Sequence, residues 1–164
     1  MKIEDLDKNF VVSKIENEDF IFRNVGQGAF KVFGLPWFEK EGQFCRLPSY
    51  AIGKQNPGVL SLAWHTAGAQ LRFNTDSAKI AIRVQLLTES NMSHMPATGQ
   101  SGFDIYLGNG AKKVYKKTAI PPLGTDKYET LIFADEESID REFTINFPLY
   151  NGVKKLEVGL LPGS

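Results

Sequence analysis

The chain has 164 residues, of which 19 are basic and 19 acidic, so its formal net charge is zero. A neutral chain lacks the positive field that attracts a phosphate backbone, which argues against nucleic acid as a partner. Its single cysteine, Cys45, excludes an internal disulfide, and one thiol with two histidines cannot complete a structural zinc site. We therefore expect Cys45 to be buried and residues 1–164 to form one domain, with no metal and no cofactor.

The amino terminus shows no targeting signal. Residues 1–10 lack the apolar run of a secretory signal, and nowhere do apolar residues accumulate to the length that spans a bilayer. The sequence therefore predicts a cytoplasmic protein with no membrane partner, or an exported one if a signal has been removed.

Short alternating segments follow one another along the chain. Residues 69–75 and 79–87 each place apolar side chains on one face at a period of two, as in strands packed on a core. Further strands are predicted over residues 10–13, 29–33, 58–63, 102–107, 113–117, 128–134, 142–147 and 155–159. Turn signals such as Gly108-Asn109-Gly110 separate them, and no stretch keeps a helical apolar period for three turns. About ten short strands predict an all-β fold, a jelly-roll-like antiparallel β-sandwich.

Four lysines fall within residues 112–117. An anionic partner could explain them, but lysines on an exposed edge strand also deter aggregation between sheets. We favour the interpretation as an edge strand.

A loop over residues 92–101 runs into the strand predicted at 102–107. The period of two puts Phe103, Ile105 and Leu107 on a core face and Gly102, Asp104 and Tyr106 on a polar face. Aspartate is disfavoured in strands, so a partner must compensate for Asp104. Its carboxylate either accepts backbone or Ser/Thr donors and pins the loop, or faces a cleft and binds substrate hydroxyls. Tyr106 would either stack on a sugar ring or pack across strands.

The segment Gly102-Phe103-Asp104-Ile105-Tyr106 resembles the name motif of the GxDLY family, the module that precedes the catalytic domain in many SGNH (GDSL-type) esterases. Ile105 stands in place of the usual leucine. Four further segments are similar to that family: residues 46–48, 62–68, 72–77 and 159–163. The resemblance implies the same β-sandwich architecture, and a hydrolase domain with the serine nucleophile after Ser164.

The catalytic machinery of such an esterase is absent from this sequence. The reaction needs an activated serine, a histidine oriented by an aspartate, and oxyanion donors. The chain has no Gly-Asp-Ser block, no late Asp-x-x-His and no G-x-S-x-G elbow. His94 near Ser101 is not a triad, and His65 and His94 lack the spacing of metal ligands. This chain alone is therefore predicted to carry no catalytic residue, while the resemblance implies a parent protein that is a serine esterase.

The leading hypothesis is a non-catalytic N-terminal domain that docks on an SGNH hydrolase domain in cis and helps to shape its cleft. The substrate would be an ester, with carbohydrate esters among the candidates. The predicted contacts to the substrate cleft or to the neighbouring domain are Met92, His94, Met95, Thr98 and Ser101. Polar support of their loop is assigned to Asp104, Tyr106 and Arg72.

The alternative is a stand-alone carbohydrate-binding module, since β-sandwiches often present aromatic platforms and polar side chains to sugars. The aromatic platform would consist of Trp37, Phe38 and Trp64. This alternative predicts glycan affinity in the isolated domain, whereas docking predicts an exposed apolar patch around Met92 and Met95. A self-sufficient enzyme is a third possibility, which an assay of the chain on a short aryl ester would test.

Overall fold

The computed structural model describes residue 15, residues 18–26 and residues 28–164. In this part of the chain nine strands form two antiparallel sheets, which confirms the predicted all-β sandwich. The strands are β1 Ile21–Asn24, β2 Lys31–Phe33, β3 Gln70–Thr75, β4 Lys79–Leu86, β5 Phe103–Leu107, β6 Val114–Ala119, β7 Lys127–Ala134, β8 Arg141–Asn146 and β9 Val153–Leu160. Three short helices, α1 Phe38–Glu41, α2 Pro57–Ala63 and α3 Ala97–Ser101, lie in the connections, with 3-10 turns at Ser49–Ala51 and Gly110–Lys112. Within the described ranges, no helix is long and apolar enough to cross a membrane.

The four-stranded sheet has the order β1-β9-β4-β7, and the five-stranded sheet has the order β2-β3-β8-β5-β6. Strands β4 and β9 pair along most of their lengths, and β8 lies between β3 and β5. Strand β6 is an edge of its sheet, as the lysines of residues 112–117 predicted.

The core lies between the two sheets and follows the alternation read from the sequence. Leu71 of β3 and Ile105 of β5 are fully buried from one side, and Ile80 and Ile82 of β4 from the other. Each such side chain contributes about 1.5–3 kcal/mol of burial free energy. Cys45 is also buried, as predicted, and its Sγ is 3.4 Å from the carbonyl oxygen of Ala63.

The strand predicted over residues 58–63 is wrong, because this segment is helix α2. The Asn56 side chain accepts the backbone N–H of Val59 at 3.0 Å, and Pro57 occupies the first helical turn. A capping asparagine followed by proline starts a helix locally and overrides the strand preference of the β-branched and leucine side chains. The strand predicted over residues 10–13 lies outside the described residues.

Strand β1 is absent from the sequence prediction, since its four residues do not alternate: only Phe22 is partly buried. Its position is set by pairing with β9, where Ile21 lies opposite Leu160. A strand whose register is fixed by a partner far along the chain leaves no local signal.

The connections gather at two ends of the sandwich. The motif end comprises residues 34–69, 87–102, 120–126 and 147–152, and it contains the start of β5. The C-terminal end comprises residues 76–78, 108–113, 135–140 and 161–164, where Ser77 Oγ accepts the N–H of Leu161 at 3.0 Å. Because β9 runs between the ends over eight residues, they are separated by about 27 Å.

Candidate functional site

A buried amide joins two loops at the motif end. Asn151, 1% exposed, donates from Nδ2 to the carbonyl oxygen of Thr88 at 2.8 Å and to Ser101 Oγ at 2.9 Å. Its Oδ1 accepts the backbone N–H of Thr88 at 3.3 Å and that of Gly152 at 2.8 Å. Because a buried polar group left unpaired costs about 1–3 kcal/mol, these bonds hold the two loops in one arrangement.

Two more buried side chains complete this network. Gln100 Oε1 accepts the backbone N–H groups of residues 91 and 92 at 3.0 and 3.1 Å, and its backbone carbonyl accepts the N–H of Tyr150 at 3.1 Å. Thr66 Oγ1 donates to the carbonyl oxygen of Pro148 at 3.2 Å, which adds the loop after α2. Three connections of the motif end are thus fixed to one another.

The predicted contact residues fall into three groups. His94 is exposed, and Met92, Met95 and Thr98 are half-buried, so these four side chains reach the surface of the motif end. Ser101 is fully buried, where its Oγ accepts the amide described above. The prediction of a surface contact is therefore wrong for Ser101, because α3 turns this side chain towards the interior.

Gly102 allows the loop to enter β5 closely. A Cβ at this position would lie 2.4 Å from the backbone oxygen of Thr98 and 2.9 Å from Cγ2 of Thr118. The backbone N–H of Gly102 also donates to that Thr98 oxygen at 2.9 Å. The first residue of the motif is a glycine because the helix end and β6 leave no room for a side chain.

Exposed apolar side chains are frequent at the motif end. The exposed fractions are 69% for Tyr50, 44% for Val59, 48% for Leu62, 50% for Leu149 and 45% for Tyr150. We call these five residues the apolar cluster. All of them lie in connections of the motif end, on a base held by long-range hydrogen bonds.

His65 lies beside this cluster. Its ring is edge-on to Tyr150, with centroids 6.5 Å apart, and the Arg46 side chain donates to the carbonyl of Leu62 close by. Burial, and secondarily the Arg46 guanidinium, lowers the pKa of His65. The imidazole is therefore neutral at pH 7, and no protein group of the described ranges bonds its buried Nδ1.

Support of the 92–101 loop comes from the buried amides, not from the residues that the sequence indicated. Asp104 Oδ1 accepts Thr118 Oγ1 at 2.7 Å, which links β5 to β6. Arg72 donates to Gln70 Oε1 from Nη2 at 2.7 Å. Tyr106 packs against the ring of Tyr115 in β6 and against the ammonium group of Lys113, the residue before β6. All three side chains occupy the outward face of the five-stranded sheet. The predicted Ser/Thr donor to Asp104 is therefore found in Thr118, and the bonds described for these three residues are made within the sheet and not to residues 92–101.

The predicted aromatic platform is not assembled as expected. Phe38 is a core residue, with its ring 4.6 Å from that of Phe44. Trp37 is half-buried and edge-on to Tyr50 at 6.1 Å, and Trp64 is half-buried where α2 ends. Phe38 cannot belong to an exposed platform, because the turn of α1 directs it inward.

A cavity of about 680 Å³ lies towards the C-terminal end, between β1 and the turn that joins β3 to β4. It is lined by aromatic side chains and by polar residues that include Asn24, Asn74, Asp76 and Asp140. None of the site residues predicted from the sequence lines it. Among the described residues, no group of three or more His, Cys, Asp or Glu side chains could hold a metal ion.

The segments that carry the family resemblance meet in pairs. The backbone N–H of Arg46 donates to the carbonyl of Ala63 at 2.9 Å, and its side chain reaches Leu62, so segments 46–48 and 62–68 are joined. Ser77 and Leu161 join segments 72–77 and 159–163 at the other end. Each pair closes one end of the sandwich.

Sequence reasoning missed Gln100 and Asn151 as the residues that organise the loop. The pattern Tyr150-Asn151-Gly152 is typical of a turn, and Gln100 lies in the segment predicted as a loop. The available signal was a polar residue next to glycine, which is common in turns. Their roles depend on partners such as Ser101 and Thr88, 50 and 63 residues from Asn151, which no local pattern reveals.

These features define the chain as an antiparallel β-sandwich module with a glycine-to-tyrosine motif on an inner strand of its larger sheet. Residues 20–164 match the model of the family GxDLY, described as the N-terminus of Esterase_SGNH_hydro-type, and the chain belongs to that family.

Two solved structures share the fold. The first, named a GDSL-like lipase from Bacteroides ovatus ATCC 8483, has a TM-score of 0.76 and 22% identity, over 88% of this chain and 42% of that chain. The second, named the salicylyl-acyltransferase SsfX3 from a tetracycline biosynthetic pathway, has a TM-score of 0.67 and 19% identity, over 88% and 40%. The chain thus spans about two fifths of these proteins. No curated protein matched the sequence.

Proposed function

We propose that this chain is the non-catalytic N-terminal module of an SGNH (GDSL-type) ester hydrolase and docks on the hydrolase domain through its motif end. Membership of the GxDLY family supports a hydrolase domain in cis. The observation that carries the docking is the apolar cluster, from Tyr50 to Tyr150, on a base fixed by buried amides.

The apolar cluster contains two tyrosines, a residue type that is enriched in the cores of protein interfaces. Tyrosine and leucine side chains that are about half exposed bury their remaining surface when a partner covers them. Soluble monomers rarely expose large contiguous apolar patches without a use for them. The network of Asn151 and Gln100 lowers the cost of docking further, because the loops are already ordered before the partner arrives.

In this arrangement the 92–101 loop forms part of the wall of the substrate cleft. His94 is exposed and can donate to a substrate or to the hydrolase domain, while Met92 and Met95 offer adaptable apolar contacts. The reaction is hydrolysis of an ester, and we propose an acyl group on a carbohydrate as the substrate. The names of the two solved structures, a lipase and an acyltransferase, support acyl chemistry as the broader class.

The position of the last strand constrains the length of the segment that connects this module to the hydrolase domain. Leu161 is held at the C-terminal end by Ser77, about 27 Å from the motif end. A connection that leads back along the sandwich needs at least about eight extended residues. We therefore expect a connecting segment of that length or more between residue 164 and the first strand of the hydrolase domain.

The decisive experiment compares two leucine-sized side chains at opposite ends. Leu149 of the motif end is 50% exposed and Ile139 of the C-terminal end is 49% exposed. In the two-domain protein, Leu149→Asp should lower kcat/KM on 4-nitrophenyl acetate about tenfold, because a buried carboxylate opposes docking. Ile139→Asp should leave kcat/KM unchanged.

Hydrogen exchange of residues 88–101 supplies a second readout, since docking should slow exchange in the two-domain protein relative to the module alone. Equal thermal midpoints of both variants in the isolated module control for folding. Docking through the motif end is contradicted if Leu149→Asp leaves activity and exchange unchanged, or if Ile139→Asp lowers activity as much.

A further inference from the structure

We propose that the outward face of the five-stranded sheet binds a neutral glycan. The register places one residue of each strand side by side in a row, in the order Phe33, Gln70, Asn146, Asp104 and Thr118. We call this row the polar row. It crosses four strand spacings of about 4.8 Å, so it is about 19 Å long. This inference concerns a surface other than the docking end and a ligand of the module itself.

The centre of the polar row offers a donor next to an acceptor. Gln70 Nε2 donates to Asn146 Oδ1 at 3.0 Å, and Thr118 Oγ1 donates to Asp104 Oδ1 at 2.7 Å. Within the described ranges, neither Asn146 Nδ2 nor Asp104 Oδ2 takes part in a protein hydrogen bond. An amide N–H and a carboxylate oxygen on adjacent strands fit a hydroxyl group, which both donates and accepts, or a pair of neighbouring hydroxyls.

Arg72 extends this capacity beside the row. Its Nε and Nη2 donate to Gln70 Oε1 at 3.2 and 2.7 Å, and its guanidinium lies 4.6 Å from the centre of the Phe33 ring. These contacts fix the guanidinium and leave Nη1 for a ligand. Neither Arg72 nor Asp104 forms an ion pair with another described residue, so both charged groups face the surface without a charge partner.

Aromatic side chains stand at both margins of the face. Phe33 is 47% exposed on edge strand β2, and Tyr115 is 53% exposed on edge strand β6, where its hydroxyl lies 3.0 Å from Thr118 Oγ1. Tyr106 packs edge-on against Tyr115 at 5.6 Å. Apolar ring surface beside fixed polar groups suits the C–H faces and hydroxyls of a sugar.

The carboxylate and the strand pairing disfavour other ligand classes. Asp104, fourth of the five residues in the row, opposes phosphate and carboxylate groups at its position. Strands β3, β8 and β5 are paired on both sides, so a peptide cannot add to them as a further strand. A neutral polyol meets both conditions, and the half-buried side chains are held before it binds, which reduces the ordering cost.

The test uses the 164-residue chain in native gels that contain soluble xylan, glucomannan or mixed-linkage β-glucan. At least one polysaccharide should retard the chain. Asp104→Asn, which keeps an acceptor for Thr118, and Asn146→Ala should each raise the dissociation constant about tenfold or more. Glu129→Gln makes the same carboxylate-to-amide change at an exposed position on the other sheet and should leave retardation unchanged.

No retardation by any of the three polysaccharides would overturn the proposal, as would equal retardation of Asp104→Asn, Asn146→Ala and the unaltered chain. Retardation lost in the two-domain protein would show that the neighbouring domain covers this face, and would also overturn it. Because binding is measured on the module alone, failure of docking through the motif end leaves this result unaffected.

Discussion

The two ends of the sandwich are both closed by hydrogen bonds between distant residues, but the side chains at their surfaces differ in polarity. At the motif end the Asn151 amide makes four of the bonds described, and the apolar cluster lies in connections of the same end. At the C-terminal end Ser77 Oγ makes two, to the carbonyl of Lys79 at 2.6 Å and from the N–H of Leu161. The surface there carries an ion pair between Arg141 and Asp135 at 2.7 Å.

This difference indicates that the bonds of the C-terminal end serve the stability of the fold, whereas those of the motif end also present apolar side chains at the surface. The C-terminal end is closed by the Ser77 hydroxyl group bonded to Leu161, and its surface carries charged side chains that water solvates well. At the motif end, buried polar groups hold apolar side chains at the surface. A partner that covered these side chains would remove their apolar area from water. Variants that weaken each end separately can therefore test whether the motif end is the more strongly organised of the two.

The largest effect is expected from Asn151→Ala. It removes both donors and the acceptor of the network, leaving Ser101 and Thr88 without their amide partner, so the free energy of unfolding should fall by about 3 kcal/mol. Ser77→Ala, the matched change at the other end, should cost about 1–2 kcal/mol. Urea denaturation of both variants measures the difference. A loss for Asn151→Ala that is no larger than the loss for Ser77→Ala would contradict the stronger organisation of the motif end.

A smaller effect is expected from Gly102→Ala. The added methyl group would meet backbone at 2.4 Å, and overpacking of this kind costs about 1–3 kcal/mol. Gly99→Ala is the control, because its methyl group would meet Cγ of the flexible Met95 side chain at 3.2 Å. Thermal unfolding should show a clear loss for Gly102→Ala and a change of less than about 1 kcal/mol for Gly99→Ala. Similar midpoints would contradict the steric account of the motif glycine.

The smallest effect is the pH dependence contributed by His65. Because its pKa is lower in the folded chain than the ordinary value of 6.5, the unfolded chain binds more protons as the pH falls through that value. The free energy of unfolding should therefore decrease between about pH 7 and pH 5.5 and be level above. His65→Asn should flatten this part of the profile, because asparagine does not titrate there. An unchanged slope in His65→Asn would refute the assignment.

The fold is largely predictable because most of its strands have one buried face, and such strands place an apolar residue at every second position of the local sequence. Leu71 and Phe73, with Ile80 and Ile82, are examples. Helix α2 escaped prediction because Asn56 and Pro57 act through a cap rather than through periodicity. Strand β1 escaped because its pairing with β9 is not visible within its own four residues.

The site was less predictable, for a physical reason. The 92–101 loop was recognised as unusual, and Asp104 was correctly placed on the outward face, since both depend on composition and alternation. Which residues hold the loop depends on contacts between distant connections, as with Ser101 and Asn151. A polar residue that becomes buried in this way looks identical, in the sequence, to one that stays in water.

The pairing of β1 with β9 also affects how the protein is made. Ile21 lies opposite Leu160, so the first described strand cannot take its place until the last has left the ribosome. At about 5–20 residues per second, synthesis of the intervening chain takes about 7–30 s. During that interval β4 lacks its neighbour β9 as well, so the four-stranded sheet cannot be completed before residue 160 has emerged. We expect slow folding dominated by distant contacts, and a nascent chain that depends on chaperones until residue 160 emerges.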